Sequence, residues 1–328
     1  MIDLRAAVLL GVGTWLGALL MTRMAGHLGL VDRPNARSSH SRPTPRGGGL
    51  AMIVAALIGV MWVWSSAREL SPFWLAFAAG GAALGLLGLA DDRFGLAAGV
   101  RLVLHLSVAA AAVWLVAPAG TGALVVIVCT IFIVAALNIF NFMDGIDGIA
   151  ASEALFAAVA LLCLLSVGHQ SAPEIDSAAR IIAAVSGGFV IINWAPARIF
   201  MGDAGSGFLG FVLALVEVNA VLAGRLSPQS VLIVSGTFLV DGVVTILGRA
   251  ARGERIYIAH RSHAYQHLAR RWSSHARVTL LYMGINLVWL LPLALASVTF
   301  SRQGWLFVAL ALGPLIPLAR LAGAGRVT

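Results

Sequence analysis

The sequence predicts an all-α fold, a polytopic integral membrane protein with about eleven transmembrane helices. Hydrophobic residues make up 60% of the 328 residues and charged residues only 11%, which is too few charges to coat a soluble core of this size. Apolar runs of about 20 residues, the length that crosses a bilayer, recur along the whole chain. No low-complexity tract or internal repeat divides it, so we expect a single transmembrane domain over residues 1–328.

The candidate spans follow one another with mostly short loops between them. They lie at about 4–24, 48–65, 72–90, 99–117, 121–140, 148–167, 179–195, 204–222, 229–247, 279–299 and 303–322. The loops of one side fall at about 25–47, 89–99, 141–148, 196–203 and 248–278. The apolar stretch of the first span is too long for a signal peptide, and Arg5 alone is a weak basic start, so we expect a retained helix and not a cleaved signal peptide.

The basic residues predict the orientation. All 22 of them are Arg, and seventeen lie in or beside the loops of that one side or in the C-terminal tail. Positive residues concentrate in cytoplasmic loops, which places the N-terminus outside and the C-terminus in the cytoplasm. The formal charge of +8 therefore reflects loop arginines and few acids. No basic soluble domain is visible, so we expect no nucleic-acid partner.

The first acidic motif is the adjacent pair Asp91–Asp92 after an apolar run. Two neighbouring carboxylates at a membrane boundary need a metal ion, a shared proton or a cationic partner. The alternative is a solvated loop pair with Arg93 as its counter-ion.

The second motif repeats a spacing of three through Asn138, Asn141, Asp144 and Asp147. That spacing places the side chains on one face of a helix, where amides and carboxylates suit contacts to hydroxyls, a base or Mg²⁺. Polar capping between two spans is the alternative, but a cap uses one such residue, and four in register favour function.

Two further motifs carry candidate phosphate and metal contacts. The glycines and Ser206 around Asp203 could expose backbone N–H groups at a helix start, with Asp203 as a metal ligand or merely as an N-cap. In the loop 248–278, His263 and His267 are four apart and would share a helix face. Neighbouring His and Arg side chains favour phosphate binding, whereas the alternative is ordinary positive charge on a cytoplasmic loop.

All four motifs fall on the predicted cytoplasmic side, which favours an enzyme at one membrane surface. A lipid or sugar flippase would need polar groups spread across the membrane. An intramembrane aspartyl protease would need a glycine at the position of Phe200, before Gly202–Asp203, to complete its usual signature. An alcohol phosphatidyltransferase would continue its acidic motif differently after Asp147.

Five strings in order resemble the polyprenyl-phosphate N-acetylhexosamine-1-phosphate transferase family, glycosyltransferase family 4. They are Pro43–Gly49, Asp91–Arg93, Asn138–Gly148, Phe200–Ser206 and the His-rich last loop. The strings Asp32–His40 and His263–His267 look closest to the O-antigen and lipopolysaccharide initiating branch. The acidic pair departs from some members because no Lys follows it.

The resemblance implies transfer of a sugar 1-phosphate from a UDP-N-acetylhexosamine to undecaprenyl phosphate, with release of UMP, at the cytoplasmic face of a bacterial inner membrane. It implies Mg²⁺, with Mn²⁺ as an alternative, held by Asp203 and Asp92. The catalytic residues implied are Asp91, Asp92, Asp203 and His263. The substrate-binding residues implied are Arg46, Asn138, Asn141, Asp144, Asp147, Phe200, Arg261 and His267, with Phe200 stacked on uracil. The identity of the sugar and a homodimer stay open.

Overall fold

The computed structural model describes residues 1–32, 42–67, 69–255 and 260–326, and most of them are helical. The helices are α1 (Leu4–Met24), α2 (Gly49–Ala67), α3 (Pro72–Phe94), α4 (Ala98–Val116), α5 (Ala123–Met143), α6 (Ile149–Val167), α7 (Pro173–Asn193), α8 (Gly202–Leu222), α9 (Pro228–Val234), α10 (Gly236–Ala250), α11 (Ala264–Trp272), α12 (His275–Thr299) and α13 (Ser301–Ala322). Two short strands, β1 (Val31–Asp32) and β2 (Thr44–Pro45), pair antiparallel, with Asp32 opposite Thr44. Most of the string Asp32–His40 lies outside the described residues.

The prediction of a polytopic membrane protein is confirmed. Within the described ranges, ten helices are long and apolar enough to cross a membrane, or eleven if the pair α9 and α10 counts as one span. Many large apolar side chains, such as Trp114, Leu124 and Val288, are exposed on the outside of the bundle. Such a surface suits contact with lipid and would be unusual on a soluble monomer.

The ninth predicted span is broken, which the sequence did not predict. Helices α9 and α10 meet at an angle of 80°. The break falls at Ser235, whose hydroxyl donates to Glu217 Oε1 at 3.1 Å. The next residue, Gly236, packs so tightly that a Cβ there would overlap the side chains of Leu290 and Leu312. The hydroxyl and the glycine together let the chain turn inside the bundle.

Helix α8 forms the centre of the bundle, and nearly all of its residues are buried. Glycines let three neighbours approach it closely. A Cβ on Gly49 of α2 would overlap the backbone of Gly205, one on Gly88 of α3 would overlap the backbone of Asp203, and one on Gly210 would approach α5 at Leu137. Small residues at such contacts are typical of helix packing in membranes. This packing brings the ends of α2, α3 and α5 to the start of α8.

Two predicted loops are shorter than expected. Helix α3 continues to Phe94, so Asp91 and Asp92 lie in its last turn and not in a loop. Gly95, at a φ of 65°, ends that helix with its N–H on the carbonyl of Asp91. The predicted loop 248–278 contains the nine-residue helix α11.

Polar side chains also lie inside the bundle, so the prediction that they gather at one end is incomplete. Glu153 of α6 accepts from the amide of Asn286 at 2.6 Å and from the hydroxyl of Thr237. Glu217 of α8 accepts from Ser235. Each carboxyl group therefore has hydrogen-bond partners within the bundle, as buried polar groups require.

Candidate active site

Four carboxyl groups meet where α3 and α5 end and α8 begins, and we call them the acidic cluster: Asp91, Asp92, Asp144 and Asp203. Asp203 lies in the first turn of α8, and Asp144 directly follows α5. Burial raises the pKa of Asp144 well above its ordinary value, and the charges of Asp203 and Asp92 add to this effect. Like charges held this close favour a bound cation or a retained proton.

Arg46 is one of two described arginines that form ion pairs with this cluster. Its Nη1 donates to Asp92 Oδ1 at 2.9 Å and its Nη2 to Asp32 Oδ2 at 3.0 Å. Burial alone would lower the pKa of Arg46, but Asp92 and Asp32 outweigh burial and raise it. Arg46 thus links the motif before α2 to the end of α3.

Asp91 has different partners, although it is the neighbour of Asp92. Its Oδ2 forms an ion pair with Arg101 of α4, and its Oδ1 accepts from the N–H of Leu96 at 2.7 Å. These contacts fix the tight turn between α3 and α4. The alternative interpretation had Arg93 as the counter-ion, but Arg93 Nη1 donates to the carbonyl of Leu28 at 3.2 Å. Of the described contacts, the ion pair of Asp91 is therefore with Arg101.

The cluster fits a hard divalent cation held by few protein ligands. Asp92 Oδ2 is buried without a hydrogen-bond partner among the described residues. Asn141 Nδ2 donates to Asp203 Oδ1 at 3.1 Å and to Ser206 Oγ at 2.9 Å, which orients the Asp203 carboxylate. No group of three or more His, Cys, Asp or Glu in the described chain is arranged as a ready-made metal site. Mg²⁺ commonly takes only one or two carboxylates and completes its shell with water and phosphate.

A cavity of about 220 Å³ lies beside the cluster between α3, α4, α5 and α8. Asp91, Asp203, Asn138 and Asn141 line it together with His105. Asn138 Nδ2 donates to the carbonyl of Val134 at 2.7 Å and lies 3.4 Å from His105 Nδ1. The predicted shared face is therefore confirmed for Asn138 and Asn141.

The same prediction is wrong for Asp147, because α5 ends at Met143. Asp147 Oδ2 instead accepts from the N–H of Ala197 at 3.1 Å and lies 3.2 Å from His275 Nδ1. Asp147 lines a second, open cavity of about 540 Å³, together with Arg261 and Arg270 of the His-rich segment.

His263 and His267 do not share one helix face, contrary to the prediction. His263 is the residue before α11, with extended backbone, so the one-face rule for a spacing of four does not apply to it. Its ring is buried, stacks on His260 at 5.0 Å between centroids and lies 6.4 Å from the ring of Phe142, which lines the smaller cavity. His267 packs against Gly323 near the C-terminus.

Phe200 lies where the chain enters α8. Its N–H donates to the carbonyl of Pro45 at 2.8 Å, and its carbonyl accepts from the N–H of Gly48 at 3.0 Å. These bonds join the segment that carries Arg46 to the start of α8, so the backbone of Phe200 helps to position two site residues. Its side chain is partly exposed.

The structure adds one site residue that the motifs did not reveal. Asp241 lies on α10, is 2% exposed, and has its carboxylate 3.4 Å from His263 Nδ1. The available signal was an acidic residue inside an apolar span, which in membrane proteins usually has a specific role.

A sequence model of glycosyl transferase family 4 matches residues 74–221 of this chain, from α3 to the end of α8. The match therefore includes Asp91, Asp92, Asn141, Asp144 and Asp203.

Curated bacterial proteins are similar over most of the chain. The decaprenyl-phosphate N-acetylglucosaminephosphotransferase of Mycobacterium tuberculosis is 29% identical over 308 residues, covering 81% of this chain and 75% of that protein. A probable undecaprenyl-phosphate N-acetylglucosaminyl 1-phosphate transferase of Bacillus subtilis is 26% identical, covering 88% of this chain and 82% of that protein. The undecaprenyl-phosphate alpha-N-acetylglucosaminyl 1-phosphate transferase of Yersinia pestis is 26% identical, with the same two coverages. These similarities confirm the family resemblance that the motifs predicted.

Proposed function

We propose, starting from the confirmed resemblance to glycosyl transferase family 4, that this protein transfers an N-acetylhexosamine 1-phosphate from a UDP-sugar to undecaprenyl phosphate. The products are undecaprenyl-diphosphate-sugar and UMP, and the reaction begins the synthesis of O-antigen or a related envelope polysaccharide. The observation that carries the proposal is the buried acidic cluster at the end of the bundle, with Arg46 on one side and a cavity of mixed polar and apolar lining beside it.

The proposed location is the bacterial inner membrane, with the site on its cytoplasmic face. In the predicted topology, the helix ends that form the acidic cluster lie on the same side as the arginine-rich segments 25–47 and 248–278. A nucleotide-sugar is available in the cytosol, and the lipid tail of the acceptor stays in the bilayer. A site at the cytoplasmic boundary meets both substrates.

The chemistry requires two anions to approach each other. The acceptor phosphate has its second pKa near about 6, so it is largely dianionic at cytosolic pH, and positioning matters more than proton removal. Mg²⁺, when bound, would neutralise charge on the phosphates. Asp203 and Asp92 would hold it, with Asn141 orienting Asp203 and Arg46 orienting Asp92.

The two cavities suit the two substrates. The smaller one combines polar groups with apolar side chains such as Leu102 and Ile246, and it suits the phosphate end of a lipid. The larger cavity is open and carries Arg261, Arg270 and Asp147. Guanidinium groups bind phosphate oxygens well, so we assign this cavity to the sugar-nucleotide.

The deciding experiment uses the purified full chain in detergent with undecaprenyl phosphate, Mg²⁺ and a panel of UDP-N-acetylhexosamines. We expect release of UMP together with a lipid-linked sugar for at least one donor. Asp203→Asn, confirmed to be folded by its elution profile, is the matched control and should form neither product. A wild-type protein that remains folded and yields no lipid-linked sugar with any UDP-sugar of the panel would overturn the proposal.

A further inference from the structure

Asp241 lies on the membrane-spanning helix α10, and its carboxylate accepts hydrogen bonds from two other segments of the chain. Its Oδ1 accepts from the N–H of Ala264 at 2.8 Å, and its Oδ2 from the N–H of Tyr265 at 3.1 Å. The hydroxyl of Tyr282 donates to Oδ2 at 2.7 Å, and that of Thr245 to Oδ1 at 3.2 Å. One buried carboxylate therefore holds the start of α11, where the His-rich segment meets the bundle.

The ring of His263 lies next to this carboxylate, and only 1% of the His263 side chain is exposed. Its Nδ1 is 3.4 Å from Asp241 Oδ1, an ion-pair distance that is long for a hydrogen bond. Both ring nitrogens are buried, and neither has a hydrogen-bond partner among the described residues, although Nδ1 has the Asp241 carboxylate at that distance. A buried ring nitrogen without a partner is costly unless a ligand satisfies it.

Three aromatic rings lie around His263, and one of them lines the cavity beside the acidic cluster. His260 and Tyr265 stack on the ring of His263, with centroids at 5.0 and 5.8 Å. Phe142 lies 6.4 Å away and also lines the cavity that contains Asp203. His263 is thus a neighbour of the acidic cluster, fixed on its Nδ1 side by α10.

We propose that Asp241 is a positioning residue for His263: in the protonated ring, Nδ1–H donates to the Asp241 carboxylate, and Nε2–H is thereby presented as a donor to a phosphate oxygen of a bound substrate. The inference rests on the proposed function, because the phosphate belongs either to the UDP-sugar or to the lipid acceptor. A carboxylate that holds one ring nitrogen fixes the orientation of a histidine, and so it also aims the N–H of the other nitrogen. Hydrogen bonds of this kind are often long without substrate and shorten in the complex.

A purely structural role is the competing explanation, since Asp241 also holds the first N–H groups of α11. A double-mutant cycle separates the two explanations. We expect Asp241→Asn to lower turnover by about 10- to 100-fold, the range found for carboxylate partners of metal-bound histidines. In the His263→Ala background, the same substitution should cause little further loss. Losses that multiply would overturn the proposal.

Tyr282→Phe is the matched control, because it removes a hydrogen bond from the same carboxylate without touching His263. We expect it to lower the melting temperature in detergent while the KM for both substrates stays unchanged. Equal activity losses for Tyr282→Phe and Asp241→Asn at equal melting temperature would contradict a positioning role.

A second pair of variants tests the same inference if Asp241→Asn does not fold. The amide nitrogen of Gln reaches the position of Nε2, and that of Asn reaches the position of Nδ1. We therefore expect His263→Gln to keep more activity than His263→Asn, and the reverse order would contradict the assignment of Nε2.

Separate KM values for UDP-sugar and undecaprenyl phosphate show which phosphate Nε2 contacts. A wild-type enzyme without UMP release would instead reject the proposed function itself.

Discussion

Asp91 and Asp92 are adjacent in the chain, yet their carboxylates bind different arginines: Asp91 pairs with Arg101 of α4, and Asp92 with Arg46 before α2. The last turn of α3 points the two side chains in different directions. Asp91 fixes the turn between α3 and α4, whereas Asp92 has one oxygen on Arg46 and one without a hydrogen-bond partner in the part of the chain that the structure describes. The two residues are therefore not equivalent.

We predict that Asp92→Asn lowers turnover more than Asp91→Asn. Losing a group that orients charge at the reacting centre costs on the order of 10²–10³ in rate, and we expect that range for Asp92→Asn. Asp91→Asn should mainly lower the melting temperature, and Arg101→Gln should reproduce its effect because it breaks the same ion pair. Turnover measured with saturating substrates checks the order, and a larger loss for Asp91→Asn would reverse the assignment.

Removal of the metal should stop the reaction. We expect EDTA to abolish UMP release and Mg²⁺ or Mn²⁺ to restore it. Asp203→Asn should also weaken Mn²⁺ binding, measured by electron paramagnetic resonance without substrate. Full turnover in excess chelator would reject the metal, and unchanged Mn²⁺ binding in Asp203→Asn would reject Asp203 as its ligand.

Close packing of α3 on α8 makes Gly88 sensitive to one added methyl group. A Cβ at Gly88 would overlap the backbone of Asp203 and Ala204, so Gly88→Ala should displace the start of α8 and destabilise the fold by about 1–3 kcal/mol. Gly99 of α4 has open space, and Gly99→Ala should be neutral or slightly stabilising. Melting temperature and initial rate, measured side by side, check the contrast. A tolerated Gly88→Ala would contradict the tight contact.

The predicted orientation can be tested with single cysteines. Ser171, between α6 and α7, and Ser273, between α11 and α12, are both exposed. In a background without Cys129 and Cys163, we expect an impermeant thiol reagent to label Ser171→Cys in intact cells and Ser273→Cys only after lysis. The opposite pattern would place the acidic cluster outside the cytoplasm.

The pH dependence of stability should contain a contribution from His260. Burial, together with the charges of His263 and Arg249, lowers the pKa of His260 from 6.5 to about 4. The unfolded chain therefore binds the proton first, so this contribution to stability is lost as pH falls from about 6.5 to about 4. We expect the melting temperature of His260→Gln to fall less over this range than that of the wild type. Parallel curves for the two proteins would contradict the prediction.

The sequence by itself determined the class of the fold and identified most residues of the acidic cluster. Apolar runs of bilayer length predicted the spans because a chain in lipid must satisfy its backbone hydrogen bonds within helices. Motif spacing and residue type predicted that Asp92, Asn141 and Asp203 lie at one end of the helix bundle. The reason is that every second loop between spans lies on the same side of the membrane.

Only the tertiary structure decided which polar groups meet. The sequence did not show that α5 ends at Met143, and that ending separates Asp144 from Asp147. It also gave no sign that Asp241, far along the chain from the other carboxylates, faces His263. Hydrophobic patterning is local, and a helix ending or a contact between distant helices depends on packing that no short segment encodes. The glycines that let α3 and α5 contact α8 are what bring these distant side chains within reach of one another.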